Sequence, residues 1–189
     1  MKTRRRQWFR GRRVPPHPLG LTRLPVCCNG PVAPNPTSPY VAVIGAGEAT
    51  AAQAEFAEAA GRVLARRGAV VVCGGLGGVM AAVARGAHSE GGTVVGLLPG
   101  DDRAAGNPHL TVALTTGLGE MRNPLVVRAA DVVLAVGGGH GTLSELAFAL
   151  RAGVPVVGHD TWTLEGVAAV DEPDAAVDLV LALAAERRA

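Results

Sequence analysis

The sequence predicts an α/β fold: a doubly wound parallel sheet in a single domain over residues 40–189. Three observations predict it. Short β-prone runs alternate with alanine-rich helical stretches, the links between them are short, and three of the runs end in glycine clusters, at 45–47, 74–78 and 137–141. Strands alternating with helices in this way pair in parallel through right-handed crossovers. The expected sheet is therefore Rossmann-like, with ligands bound beyond the carboxyl ends of the strands.

Each element has its own signal. Tyr40-Val-Ala-Val-Ile44 is continuously β-prone, as a strand buried on both faces requires, and Gly45-Ala-Gly47 ends it. Ala51 to Arg67 reads as an alanine-rich helix closed by Gly68. Ala69 to Cys73 is a second strand, followed by Gly74-Gly75-Leu76-Gly77-Gly78 and a helix from Val79 to Glu90 that Gly91-Gly92 stops. Thr93 to Leu98 is a third strand, closed by Pro99-Gly100. After a polar loop from Asp101 to His109, Leu110 to Leu114 is a fourth strand and Met121 to Ala129 a helix. Asp131 to Val136 is a fifth strand, and the glycine turn from Gly137 leads into a helix from Thr142 to Arg151, ended by Gly153. Val154 to Val157 is a sixth strand, Val167 to Val170 a short seventh, and Pro173 opens a last helix to Arg187.

Composition excludes several functions. The chain has 189 residues, 48% hydrophobic and 18% charged, which suits a folded core. Its net charge of +2 hides a division: eight of the 18 basic residues precede Tyr40, where there is no acid, leaving ten bases against 16 acids, a net −6. A nucleic-acid groove across the domain is not expected on that balance. Residues 1–39, basic and with eight prolines, read as a disordered extension. A start codon assigned too early would leave such a segment; the other reading is a targeting or nucleic-acid-binding arm, although transit peptides are richer in serine. Cys27, Cys28 and Cys73 form neither a zinc pattern nor a disulfide framework, so no metal and a reducing, cytoplasmic setting are expected. No apolar run approaches the roughly 18 residues of a membrane span. The only lysine is Lys2, so the domain holds no candidate for a pyridoxal Schiff base or a P-loop lysine.

The glycine turns carry the functional signal. Gly45 and Gly47 imitate a dinucleotide fingerprint, but Thr50 replaces the third glycine and Val72-Cys73 stands where an acid would hold a ribose. The plain reading is a tight strand-to-helix turn. Gly74, Gly75, Gly77 and Gly78 spend backbone entropy unless close approach or positive φ is needed, and a helix follows whose N–H groups suit a phosphate or ribose oxygen. Gly138, Gly139, Gly141 and Thr142 form the strongest turn, able to wrap an anion with a hydroxyl donor added. Glu145 falls one helical turn after Thr142, on the same face. A carboxylate beside a phosphate site costs repulsion, which implies a reaction role or a ribose hydroxyl to hold; the plain reading is a charge favoured by the helix dipole. Arg122 follows the fourth strand and suits bidentate phosphate binding. His140 reads as a spacer in the glycine run. Met80 and Met121 suit a base pocket or the core equally.

Gly74-Gly-Leu-Gly-Gly-Val-Met80, Gly92-Thr-Val-Val-Gly-Leu-Leu-Pro99, Arg122-Asn123 and Gly138-Gly-His-Gly-Thr-Leu-Ser-Glu145 together resemble the LOG family, long mislabelled as lysine decarboxylases. Its characterised enzymes are cytokinin riboside 5′-monophosphate phosphoribohydrolases. The run Arg122-Asn123 followed by Val126-Val-Arg-Ala-Ala-Asp131 is similar to a branch that includes the molybdenum cofactor carrier proteins of algae. The resemblance implies Arg122 and Glu145 as a catalytic pair. The chain departs from the phosphoribohydrolases where they carry Met-His-x-Arg-Lys, having Leu118-Gly-Glu-Met-Arg122-Asn123 instead, and where they carry a proline and an additional glutamate, having Gly137 and Ser144.

Two functions follow as expectations. The first is hydrolysis of the N-glycosidic bond of a nucleoside 5′-monophosphate, giving free base and ribose 5-phosphate without a cofactor. Glu145 would stabilise the ribosyl cation or activate water, and Arg122 would hold the base or the phosphate. The second is non-catalytic carriage of a phosphorylated pterin such as molybdenum cofactor. The residue pair favours the enzyme, and the missing histidine and lysine favour the carrier. Either way the expected partner is a small phosphorylated nucleotide or pterin, with no nucleic acid and no membrane. A homodimer or homotetramer is the family-level expectation, with the helix 142–151 contributing.

Overall fold

The computed structural model describes residues 37–189, so the reading of the N-terminal segment falls almost entirely outside the described residues. Seven strands form one parallel sheet: β1 (Tyr40–Gly45), β2 (Val70–Cys73), β3 (Thr93–Leu98), β4 (Val112–Thr115), β5 (Val132–Val136), β6 (Val156–His159) and β7 (Val167–Ala169). Their order across the sheet is β4-β3-β2-β1-β5-β6-β7, so the chain winds outward in one direction from β1 and then returns to wind out from its other side. Strand order reverses between β1 and β5, where Val41 pairs with Val132 and Gly45 with Val136. A crevice opens beyond the strand ends at such a reversal.

Both faces of the sheet are covered over its central strands, while the edge strands β4 and β7 stay partly exposed. Val41 and Val43 point into a core with α1 (Ala51–Arg66), α2 (Gly78–Ser89) and α5 (Pro173–Arg188). Ala42 and Ile44 point the other way, against α3 (Asn123–Arg128) and α4 (His140–Arg151). This double burial explains why the strands read as unbroken apolar runs rather than alternating ones. Helices α1 and α2 cross closely because Gly61 and Gly86 face the partner's backbone, at Val83 O and Glu58 O. None of the described helices is long and apolar enough to cross a membrane.

The differences from the expected elements have local causes. The helix expected from Met121 is split into a 3-10 turn, Gly119–Arg122, and α3, with Pro124 in the first turn of α3, where its missing N–H is tolerated. β6 starts after Pro155, since the Val154 N–H bonds back to Ala149 O at the end of α4. β4 starts at Val112, because the Thr111 hydroxyl accepts from the Val94 N–H at 3.0 Å and Leu110 turns inward onto Gly96.

Candidate functional site

The three glycine turns meet at the carboxyl edge of the sheet, beside the β1/β5 reversal, and they are built differently. In the first two turns packing demands glycine at Gly45, Gly74, Gly75 and Gly78. A Cβ on Gly45 would strike Val136 O of the neighbouring strand. One on Gly78, at φ +58°, would strike Ala46 O and lie 2.5 Å from Gly47 O. The Val79 N–H donates to Ala46 O at 3.0 Å, so the turns after β1 and β2 interlock. Gly75, at φ +76°, lies against Leu98. Gly74 sits under the Arg122 guanidinium, with the Met80 sulfur on its other side, and Met80 is buried in the core.

Other glycines of the edge, one of them in the first turn, meet nothing. A Cβ on Gly47, Gly139 or Gly141 would find no atom within 4 Å, and none of the three has the positive φ that favours glycine. All three are exposed, as is Gly77, where an added Cβ would reach Gly47 O at 3.4 Å. Neither packing nor backbone conformation requires glycine at Gly47, Gly139 and Gly141. What their missing side chains leave is room for another molecule to approach the backbone.

The helix N-termini sort in the same way. Thr50 and Gln53 form a reciprocal capping box over the start of α1, which spends the Thr50 and Gln53 N–H groups internally. Gly77 and Gly139, at the starts of α2 and α4, supply no side-chain cap. The uncapped amides of α4, with the helix dipole behind them, face the open glycines. Gly138 (φ +134°) turns the chain so tightly that an added Cβ would lie 2.5 Å from Thr142 Cβ, and Thr142 is itself buried.

Beneath this turn lie Arg122 and Glu145, both buried. The 3-10 turn delivers Arg122, whose Nη1 donates to Asn123 Oδ1 at 2.9 Å and whose Nη2 donates to Gly74 O at 3.2 Å. Its Nε is buried without a partner. Glu145 comes from α4, and its Oε1 lies 3.7 Å from Arg122 Nη1, too far for a hydrogen bond. Burial therefore outweighs the arginine's attraction, and the Glu145 carboxyl is pushed up to about 7. Burial likewise lowers the Arg122 pKa from its ordinary value, against the pull of Glu145. Nearby, burial pushes the Cys73 thiol up to about 11, leaving it neutral and inert. Near neutral pH the pair thus sits between zero and one net positive charge. That suits an anion above it, or a proton exchanged at Glu145. Among the described residues, no three His, Cys, Asp or Glu side chains gather as metal ligands.

Two contacts escaped the reading of the sequence. Gln53 Nε2 donates to Asp160 Oδ2 at 2.8 Å, bridging α1 to the segment after β6. The bridge passes over Gly137, at φ +57°, where an added Cβ would lie 2.5 Å from Gln53 Nε2; a proline, fixed at negative φ, is incompatible with this backbone. The second contact joins His140 to Trp162, with ring centroids 6.5 Å apart. Thr50-x-x-Gln53 was a readable capping signal, whereas nothing local announced either long-range pair. Met121, by contrast, is 75% exposed and lies outside the core.

Comparison with known proteins agrees with this architecture. The molybdenum cofactor binding protein from the phototrophic bacterium Rippkaea orientalis superposes with a TM-score of 0.75 at 31% identity, covering 79% of this chain and 99% of that one. The molybdenum cofactor carrier protein from Chlamydomonas reinhardtii gives 0.73 at 30% identity, covering 78% and 99%. An uncharacterized protein of Archaeoglobus fulgidus is 39% identical over 139 residues, 73% of this chain and 91% of its own. The model of the SLOG cluster4 family matches residues 38–185, and the chain belongs to that family.

Proposed function

We propose that this SLOG cluster4 protein binds and carries a phosphorylated pterin of the molybdenum cofactor type. One observation carries the reading: the open-glycine turn and its uncapped helix lie in a domain similar, over 99% of their length, to two solved proteins named for molybdenum cofactor. The residues fit such a cargo. A phosphate finds α4 amides and the space at Gly139 and Gly141, with the Arg122 charge below. Arg122 is already tied to Asn123 and Gly74, and burial pushes the Glu145 carboxyl up to about 7. A pair so restrained positions a ligand more readily than it stabilises a developing cation.

The test is retention of the cargo. Full-length protein is mixed with molybdenum cofactor released from a donor enzyme, passed through a sizing column and assayed for pterin and molybdenum. Both are expected to co-elute with the protein, and Gly141→Val, which fills the open turn, is expected to lose both while staying folded. Folded wild-type protein that retains neither overturns the reading.

The hydrolase reading keeps one specific support: a buried carboxyl pushed up to about 7 beside an arginine is suited to proton transfer near neutral pH. Incubation with a panel of nucleoside 5′-monophosphates decides it. Free base and ribose 5-phosphate, formed by the wild type and abolished in Glu145→Gln and Arg122→Ala, would replace the carrier by a phosphoribohydrolase.

A further inference from the structure

We propose that Trp162 and His140 form the ring-recognition wall of the site, an aromatic platform that selects a flat bicyclic heterocycle whose phosphate lies in the open glycine turn. The inference rests on the phosphate reading given above and adds the other end of the ligand to it.

The wall is built from two turns of the same sheet edge. His140 opens α4 and stands exposed between Gly139 and Gly141, the two positions where a Cβ would meet nothing. Trp162 comes from the segment after β6 and lies against it, the rings tilted by 37° at 6.5 Å. The approach of Trp162 is anchored two residues earlier, where Asp160 adopts φ +47° and holds Gln53 through its carboxylate at 2.8 Å. The Thr161 methyl fills the space over Gly158. The indole is thus positioned by its neighbours while remaining 40% exposed.

That combination needs an account. Aromatic residues make up 3% of the chain, and Trp162 is the only tryptophan among the described residues. The other aromatic contact at this edge, Phe56 stacked on His159 at 3.7 Å, is packed into the core. Trp162 instead offers its ring beside the room left by Gly139 and Gly141. An indole face stacks over the whole of a flat nitrogen heterocycle, a larger and better-matched surface than a single furanose ring offers it. A phosphate on the α4 amides therefore places an attached ring within reach of this wall. The class selected is a purine or pterin monophosphate over a sugar phosphate.

The test uses the full chain and three probes: neopterin monophosphate, guanosine 5′-monophosphate and ribose 5-phosphate, titrated by calorimetry. Trp162→Ala is expected to weaken the two ring-bearing probes by about tenfold or more and ribose 5-phosphate by no more than about twofold. Trp162→Phe, which keeps a stacking face, is expected to recover most of that loss. With Trp8→Phe leaving Trp162 as the sole tryptophan, neopterin monophosphate is expected to quench the tryptophan emission and ribose 5-phosphate to leave it unchanged. Equal weakening of all three probes would reduce Trp162 to a loop-shaping residue and overturn the platform, as would no change in any. Wild-type protein that binds ribose 5-phosphate as tightly as the ring-bearing probes also overturns it, while leaving the phosphate site standing. Wild-type protein that binds none of the three removes the phosphate reading and the platform with it.

Discussion

The turn after β2 and the turn after β5 are equally glycine-rich, yet they differ: packing or backbone conformation demands glycine at three of the four positions in the first, and in the second at Gly137 and Gly138 but not at Gly139 and Gly141. Gly74, Gly75 and Gly78 are pressed against Arg122, Leu98 and Ala46, and two of them need positive φ. Gly139 and Gly141 are free of both demands. The first turn is a joint that locks two strand ends together. The second is an opening. Glycine density alone does not separate the two cases; the surroundings of the missing Cβ do.

Three substitutions test the contrast, in falling order of expected effect on stability. Gly78→Ala forces a side chain into backbone carbonyls at φ +58° and should cost about 3 kcal/mol, lowering Tm by about 6–12 °C. A scan showing less than about 1 kcal/mol lost would mean that the joint yields easily and that the contrast is weak.

Glu145→Gln should act in the other direction. The folded-state pKa of Glu145 is raised from 4.5 to about 7, so the protonated form favours the native state. Its stabilising contribution is full below pH 4.5 and is lost as pH rises through about 7. A neutral glutamine escapes that loss and should gain about 1–3 kcal/mol over wild type at pH 8, less whatever Arg122 loses in counter-charge. Urea midpoints at pH 8 and at pH 4.5 should show the gain at the first and little difference at the second. A variant weaker than wild type at pH 8 would show that the ion pair outweighs burial.

Gly141→Ala has the smallest effect on the fold and separates the two turns most clearly. Lying in α4 with open space around it, it should be neutral or gain up to about 1 kcal/mol in helix propensity. Binding of neopterin monophosphate should nevertheless fall by about tenfold, as the methyl occupies the approach to the α4 amides. Unchanged affinity would close the opening as a ligand site.

Much of the fold was legible because its signals are local. Gly68, Gly91 and Gly153 sit just past α1, α2 and α4 at φ +73°, +70° and +65°, where a chain leaving a helix needs the left-handed region. The strands were legible because double burial leaves no polar alternation to misread. In the site, the position of Glu145 one turn beyond Thr142 followed from helical spacing. Arg122 was pointed to by its place after the fourth strand and its pairing with Glu145 by resemblance, and the structure places its Nη1 3.7 Å from Glu145. The Gln53–Asp160 bridge spans 107 residues, and the His140–Trp162 pair likewise joins different turns. Such pairings depend on how the whole sheet is wound, which no local pattern encodes.

The pairing of β1 with β5 also sets when the crevice can exist. The Tyr40 N–H donates to Asp131 Oδ2 across 91 residues, and the two strands run side by side from there. That contact closes a long stretch of chain, whose entropic cost grows with its length. A nascent chain therefore carries the turns after β1 and β2 for some time without a finished site, which waits until β5 and α4 have been synthesised and docked. A ligand bound across that edge sees only the completed molecule, and by mass action it stabilises the pairing that completes it.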